Sequence, residues 1–202
     1  MQKPIDKQAN NDGKRKRELT QWSNEHRAKY ANSTLICKIN GESLTVEKLQ
    51  QLCLRIGIRS GDVIFLHSSL VSLGNLEIED SQKALSHLVR SFQEVVGSKG
   101  TVIMPTFTYS FLDESWSGPE EPYDVENSRS KTGALTDYFR QLPDVIRSCH
   151  PTHSVAIWGN NKKYFSDIDD STFGTASIFG KIHSANAKIV GLGVPIPSTF
   201  IH

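Results

Sequence analysis

The sequence of 202 residues lacks long apolar runs, an excess of one charge and paired cysteines. No segment approaches the roughly 18 consecutive apolar residues that a membrane-spanning helix needs. The polar N-terminal residues are unlike a secretory signal. With 23 basic and 22 acidic residues the formal net charge is +1, which disfavours a nucleic-acid binder. Cys37, Cys53 and Cys149 form neither a disulfide framework nor a CxxC metal site, and so favour a reducing, cytoplasmic setting.

Several motifs that mark common enzyme classes are also missing. The sequence has no P-loop, no GxSxG nucleophile elbow and no HExxH zinc motif. Gly191-Leu192-Gly193 lacks the third glycine of a dinucleotide fingerprint and comes late in the chain. The hypothesis of a nucleotide-binding module therefore rests on fold analogy alone and ranks low.

Charge is unevenly distributed along the chain. Residues 1–30 hold eight Lys/Arg against four Asp/Glu, which leaves 15 basic and 18 acidic residues for positions 31–202. The Lys14–Arg17 run fits a nucleic-acid or localisation patch, but a solvated tail explains it more simply. We expect a basic, disordered tail over 1–30 and one folded domain over 35–202.

The folded part alternates strand-like and helix-like segments. Apolar runs without alternation predict buried strands at Val63–Leu66, Thr101–Met104, Ser154–Trp158 and Ile189–Gly193. Apolar residues at helical spacing predict two long helices, which begin after Thr45 and after Asp80 or Ser81 and are followed by glycines. Shorter helices are predicted at Thr132–Arg140 and Ala176–Ser184. This order predicts an α/β fold with a largely parallel sheet.

Ligands of open α/β sheets bind beyond the carboxyl ends of the strands. Three segments follow such ends: His67–Gly74, Thr106–Asn127 and Val194–His202. The hydroxyl residues of the first segment leave backbone N–H groups free for an anion and add donors of their own, although an ordinary strand-to-helix turn looks similar.

Five motifs in order resemble the aminoglycoside 3-N-acetyltransferase (antibiotic N-acetyltransferase) family. They are His67–Gly74, Gly100–Thr108, Tyr123–Ser128 with Gly133–Arg140, Arg147–Ala156, and Gly191–His202. The resemblance covers roughly residues 43–202. It implies a three-layer α/β/α sandwich and transfer of an acetyl group from acetyl-CoA to a primary amine of an aminoglycoside or related amino sugar, without a metal.

The same resemblance implies roles for particular residues. It places His67, Ser68 and Ser69 in the turn that contacts coenzyme A, with Thr106 and Phe107 beside that cleft. The family's catalytic histidine falls on His202, in a Thr-x-x-His motif that begins at Thr199. The carboxylate that orients this histidine in the family lies a few residues beyond position 202, so we expect a domain that is incomplete at its C-terminus and turns over slowly.

The chemistry of amine acetylation agrees with these roles. A base must deprotonate the ammonium group, and a histidine with a reference pKa of ~6.5 is suited to that task. Hydrogen-bond donors must then stabilise the oxyanion of the tetrahedral intermediate, and Ser68, Ser69 or Thr199 can supply them. No cysteine nucleophile is required, so we expect Cys149 to be a packed core thiol.

The segment Phe111–Asn127 contains six acidic residues, no Lys or Arg, and interleaved aromatic residues. A polycationic sugar is bound well by carboxylates and aromatic faces. We therefore expect substrate contacts, at Tyr109, Glu120, Glu121 and Asp124, although a solvated acidic loop has the same composition.

Two further features leave alternatives open. His150 and His153 fit a metal site with His67, but the intervening Pro151 and the absence of a spaced carboxylate favour a structural or cleft-lining role. Arg147 and Arg140 are candidates for the coenzyme phosphates, and Arg140 is equally well explained as a cation at a helix C-terminus.

Two functions compete at this point. The first is an acetyl-CoA-dependent N-acetyltransferase, acting in antibiotic resistance or in polysaccharide synthesis on a small-molecule amine. The second is a non-catalytic, truncated fragment that binds coenzyme A. We expect neither a nucleic-acid nor a membrane partner, and the sequence leaves open whether the protein is a homo-oligomer.

Overall fold

The computed structural model describes residues 34–108 and 123–194. The predicted tail over 1–30 and the candidate site residues Tyr109, Glu120, Glu121, Thr199 and His202 lie outside these ranges. The described strands are β1 Leu35–Ile39, β2 Glu42–Thr45, β3 Val63–Ser68, β4 Leu76–Glu77, β5 Thr101–Pro105, β6 Ile146–Arg147, β7 Val155–Gly159 and β8 Lys188–Leu192. The α-helices are α1 Val46–Arg55, α2 Ser81–Val96, α3 Ala134–Phe139, α4 Lys162–Ser166 and α5 Ile178–Ser184.

A small antiparallel sheet, in the order β2-β1-β4, comes first in the chain. Asn40 and Gly41 join β1 to β2 with positive φ angles of 51° and 82°, the backbone that a tight two-residue hairpin turn requires. The sequence analysis did not predict these strands. The Asn-Gly pair is the signal that identifies such a hairpin.

The larger sheet has the strand order β6-β7-β5-β3-β8 and is mixed. β3 pairs in parallel with both β5 and β8, as predicted, but β7 runs antiparallel to β5 and to β6. The expectation of a largely parallel sheet is therefore wrong. The reason is the two-residue strand β6, which was not predicted: a short connection joins β6 to β7, and it forces β7 to run in the opposite direction.

Alternate residues of the central strands pack into two separate apolar clusters. Ile64, Leu66, Val102 and Met104 pack with residues of α1, α2 and α3. Phe65 and Ile103 pack with residues of α4 and α5. The continuous apolar runs thus predicted strands buried on both faces correctly.

The two long helices begin and end close to where the sequence predicts. Thr45 caps α1 through its hydroxyl, and Asp80 caps α2 through its carboxylate. Helical spacing predicts an apolar stripe of Leu49, Leu52, Cys53 and Ile56 for α1, and this is only partly correct. Leu49 and Cys53 are buried, whereas Leu52 is 47% and Ile56 66% exposed. None of the helices in the described ranges combines the length and the hydropathy of a membrane span.

Candidate active site

Four chain segments meet at one edge of the larger sheet. β3, β5 and β8 end there, and β7 begins there because it runs antiparallel to β5. The expectation that ligands bind beyond the carboxyl ends of the strands predicted the segments after β3, β5 and β8. It did not predict the segment His150–Ser154, which lies at the same edge because β7 runs in the opposite direction.

The last two residues of β3 and the turn that follows them contain the predicted coenzyme residues. The backbone N–H of Ser69 donates to the Leu192 carbonyl at 2.9 Å, and the hydroxyls of Ser69 and Ser72 are 2.7 Å apart. A short 3₁₀ turn follows at Val71–Leu73. The structure therefore joins the His67–Ser69 segment to the end of β8.

His67 lies at the end of β3 and is only 9% exposed. Burial lowers the pKa of its imidazole to about 4, because removal from water disfavours the charged form. Its ring meets the Phe65 ring edge-on at 4.6 Å, and no group in the described residues hydrogen-bonds its Nε2. At neutral pH His67 is consequently uncharged and can offer a hydrogen bond, but no positive charge, to a ligand.

Thr106 and Phe107 continue from β5 and are almost completely buried. The Thr106 N–H donates to the Ser154 carbonyl at 2.8 Å, and the hydroxyls of the two residues are 3.1 Å apart. Phe107 packs in the cluster on the α5 side of the sheet. Both residues thus lie at this edge of the sheet with their side chains turned into protein.

Arg147 connects three of the segments at this edge. Its Nε lies 3.1 Å from the Thr106 hydroxyl, one terminal nitrogen donates to the Thr106 carbonyl at 2.7 Å, and the other donates to the Ser128 carbonyl at 2.5 Å. Its guanidinium also lies over the Tyr123 ring, 5.1 Å from the centroid. Burial lowers the pKa of this guanidinium. All its nitrogens are engaged with protein, so Arg147 holds the site together and is not a free cation for coenzyme phosphates.

Arg140 is engaged as well. It forms an ion pair of 2.7 Å with Asp137 and donates to the Glu126 carbonyl at 2.8 Å. The side chains of Arg140 and Asp137 are only 9% and 12% exposed. Arg140 therefore stabilises the segment that follows the acidic loop, which agrees better with the structural alternative than with phosphate binding.

Asp124 is the one predicted substrate residue within the described ranges. One carboxylate oxygen accepts the backbone N–H of Glu126 at 2.8 Å and that of Asn127 at 3.1 Å, and the other accepts the Asn127 side chain at 2.7 Å. These hydrogen bonds, chiefly those from Asn127, lower the pKa of the Asp124 carboxyl group. Asp124 is exposed and ionised, and it also stabilises its own turn.

The His150–Ser154 segment packs directly against the end of β5. The Thr108 hydroxyl donates to the Pro151 carbonyl at 2.5 Å, and the His153 ring meets the Phe107 ring edge-on at 5.0 Å. Phe179 of α5 completes the contact, 5.6 Å from the His153 ring. Within residues 34–108 and 123–194, no group of three His, Cys, Asp or Glu residues could hold a metal ion.

Cys149 differs from its expected environment. It is exposed, whereas Cys37 and Cys53 are buried. Ser148 and His150, the residues on each side, are the buried ones. Burial raises the pKa of the Cys53 thiol to about 12, so that thiol is inert at neutral pH.

Comparison with known proteins identifies the family. A family model described as aminoglycoside 3-N-acetyltransferase matches residues 65–202. The chain is 31% identical over 145 residues to aminoglycoside N(3)-acetyltransferase IV of Salmonella sp, covering 70% of this chain and 50% of the relative. It is 26% identical over 162 residues to the aminoglycoside N(3')-acetyltransferase-like protein YokD of Bacillus subtilis, covering 71% of this chain and 58% of the relative.

The fold is shared with a solved structure of AAC-IIIb in a binary complex with CoASH. The TM-score is 0.65 at 24% identity, and the match covers 79% of this chain and 63% of the other. The chain spans 50% to 62% of the length of the curated relatives that it matches. Since the family model covers every segment of the site from Phe65 onwards, the chain belongs to the aminoglycoside 3-N-acetyltransferase family.

Proposed function

We propose that this protein transfers an acetyl group from acetyl-CoA to a primary amine of an aminoglycoside or a related amino sugar. The observation that carries the proposal is the family match over residues 65–202, the part of the chain that builds the site edge. The names of the matched relatives and the CoASH in the AAC-IIIb structure support the same donor and acceptor. Antibiotic resistance is the role that those names favour.

The coenzyme is proposed to bind at the turn after β3. Ser68 and the neutral His67 offer donors there, and the hydrogen bond from Ser69 to Leu192 fixes the turn before the ligand arrives. Thr106 and Phe107 support this cleft from inside the protein, since their side chains are buried. A fixed turn lowers the ordering cost of binding.

The reaction then needs a base and an oxyanion site. His202 is proposed as the general base that removes the proton from the attacking amine. Ser68, Ser69 or Thr199 donates to the oxygen that becomes negative in the tetrahedral intermediate. No metal takes part in this scheme.

The substrate is proposed to contact the acidic segment between β5 and α3. Tyr109, Glu120 and Glu121 would supply an aromatic face and carboxylates for ammonium groups. Asp124 is ionised in the structure and exposed beside them in sequence. The domain is proposed to have the three-layer α/β/α architecture of its family.

A second candidate is a domain that binds coenzyme A without turnover. It is motivated by the fact that the chain spans only 50% to 62% of its relatives' length. Measurements of binding and of turnover separate the two candidates. The non-catalytic domain would bind acetyl-CoA without acetylating any amine.

The test is acetyl-CoA binding by calorimetry together with release of free thiol in the presence of a panel of aminoglycosides and amino sugars. We expect binding, and thiol release that depends on the amine and is lost in His202→Ala. The matched control is His183→Asn, which removes an exposed histidine of α5 and should leave both unchanged. Binding without thiol release for any amine would favour the non-catalytic fragment, and absence of binding would contradict both.

A further inference from the structure

His150 is a buried histidine with an unusual division of hydrogen bonds between its two ring nitrogens. The residue is 5% exposed. Its Nδ1 receives the backbone N–H groups of Thr152 at 3.2 Å and of His153 at 2.9 Å. Its Nε2 is fully buried and has no hydrogen-bond partner in the described part of the chain.

These contacts fix the tautomer of the ring. A nitrogen that accepts two backbone N–H groups carries no proton, so the proton of the neutral imidazole is on Nε2. A proton on Nδ1 would place a donor opposite two donors, and both hydrogen bonds would be lost. In this tautomer the Nε2–H can only donate, so the free nitrogen of the ring is not suited to act as the base.

The position of this donor is at the site edge. The Pro151 carbonyl accepts the hydroxyl of Thr108, and the Thr106 N–H donates to the Ser154 carbonyl. The segment His150–Ser154 thus lies against the residues that border the proposed coenzyme cleft. The neighbouring His153 ring, 5.6 Å from the His150 ring, is only half-buried.

We propose that the Nε2–H of His150 donates a hydrogen bond to the carbonyl oxygen of the transferred acetyl group. This inference rests on the proposed function. A buried N–H without a partner is costly, and a ligand oxygen at the site edge would remove that cost. Because Nε2 has no exposed area, the contact requires a shift of the side chains that cover it.

The amine nitrogen attacks the thioester carbon and forms the C–N bond, while the carbonyl electron pair moves to the oxygen that accepts from His150. The base takes the proton of the amine. When the C–S bond breaks, the electron pair on the oxygen returns to form the carbonyl, and coenzyme A leaves as a thiolate. The thiolate then receives the proton that the base took from the amine. His150 keeps its own proton throughout and acts as an oxyanion donor.

The first test is NMR of the ¹⁵N-histidine-labelled full chain at neutral pH, with His150→Gln used to assign the signal. We expect an Nε2–H tautomer whose proton signal moves downfield with acetyl-CoA and does not move with coenzyme A, which lacks the acetyl carbonyl. An Nδ1–H tautomer, or equal responses to the two ligands, would overturn the inference while leaving the proposed function intact. If calorimetry shows that acetyl-CoA does not bind, the proposed function fails and this inference fails with it.

The second test uses two variants that each keep one ring nitrogen's role. His150→Asn keeps an acceptor close to the position of Nδ1 and removes the Nε2 donor, whereas His150→Gln keeps a donor near Nε2. We expect His150→Asn to bind acetyl-CoA normally and to lose about 100-fold in kcat with little change in KM, the size expected for one oxyanion donor. His150→Gln should retain more activity.

A purely structural role predicts the opposite ranking. In that case His150→Asn would be the more active and more stable variant, because it preserves the two backbone hydrogen bonds, and that result would overturn the inference. His183→Asn is the control for loss of a histidine outside the site. If the chain binds acetyl-CoA but acetylates no amine, the NMR comparison decides alone.

Discussion

Arg147 holds Thr106 by both its hydroxyl and its carbonyl oxygen, with distances of 3.1 and 2.7 Å. This contact links β6 to the end of β5 across β7, which lies between them in the sheet. The guanidinium reaches the Ser128 carbonyl as well, so one side chain sets the separation of three segments at the site edge. Arginine suits this task because its planar fork can donate in several directions at once.

Arg147→Lys should destabilise the protein by about 2–4 kcal/mol, because one ammonium group cannot replace these donors and buried acceptors would be left unpaired. Denaturant unfolding measures this free energy directly. Arg129→Lys is the matched control, since the Arg129 side chain is 84% exposed although it pairs with Asp137. If Arg147→Lys were as stable as the parent but bound the coenzyme more weakly and with greater sensitivity to salt, Arg147 would instead be a ligand of the coenzyme phosphates.

The double variant Ser68→Ala, Ser69→Ala should weaken coenzyme A binding by about 1–3 kcal/mol, the cost of losing polar partners in a closed site. The backbone hydrogen bond from Ser69 to Leu192 should survive, because it does not involve the side chain. Calorimetry on the folded variant is the measurement, with the exposed Ser43→Ala as control. Equal affinity in variant and parent would remove the turn from the coenzyme site.

The sequence predicted four of the five strands of the larger sheet and missed the edge strand β6. Val63–Leu66 and Thr101–Met104 are continuous apolar runs, and such runs have few alternatives to a strand that is buried on both faces. Ile146 and Arg147 form a strand of only two residues, which carries no periodic signal. The direction of β7 depends on that short strand, so the mixed sheet could not be predicted without it.

The candidate site shows the same division. His67 and Ser68 are the last residues of β3 and Ser69 follows them, so the position of the buried strand in the sequence was enough to place them at the site edge. The role of Arg147 depends on acceptors 19 and 41 residues away in sequence, which no local pattern contains. The Nδ1 contacts of His150 are local to the segment His150–His153, but they depend on the conformation of that turn, which its proline alone does not determine.

Gly193→Ala should both destabilise the protein and weaken coenzyme binding. Gly193 has a φ of +70°, and a Cβ built there would overlap the Ser69 carbonyl oxygen. Left-handed backbone costs an alanine roughly 1 kcal/mol, and the overlap adds about 1–3 kcal/mol as the turn is displaced. Unfolding and calorimetry report the two effects separately.

Gly41→Ala is the control for Gly193→Ala. Gly41 has a φ of +82°, but no atom lies within 4 Å of a Cβ built there. It should show only the backbone cost and bind coenzyme normally. Similar coenzyme affinities for the two variants would mean that the end of β8 does not position the Ser69 turn.

The burial of His67 should make stability fall in mild acid. Its folded pKa of about 4 lies below the unfolded value of ~6.5, so the native state binds fewer protons than the unfolded state in this window. Stability is therefore complete above about pH 6.5 and decreases as the pH falls towards 4, by up to about 3 kcal/mol for a shift of this size. Burial also lowers the pKa of His153, so a smaller loss in the same direction should remain when His67 is replaced. His67→Gln should flatten the curve of unfolding free energy against pH between pH 7 and 4. The control is His183→Asn, which removes an exposed histidine and should keep the slope of the parent. A slope in His67→Gln as steep as in the parent would mean that another group, and not the neutral His67 at the end of β3, gives this site edge its sensitivity to acid.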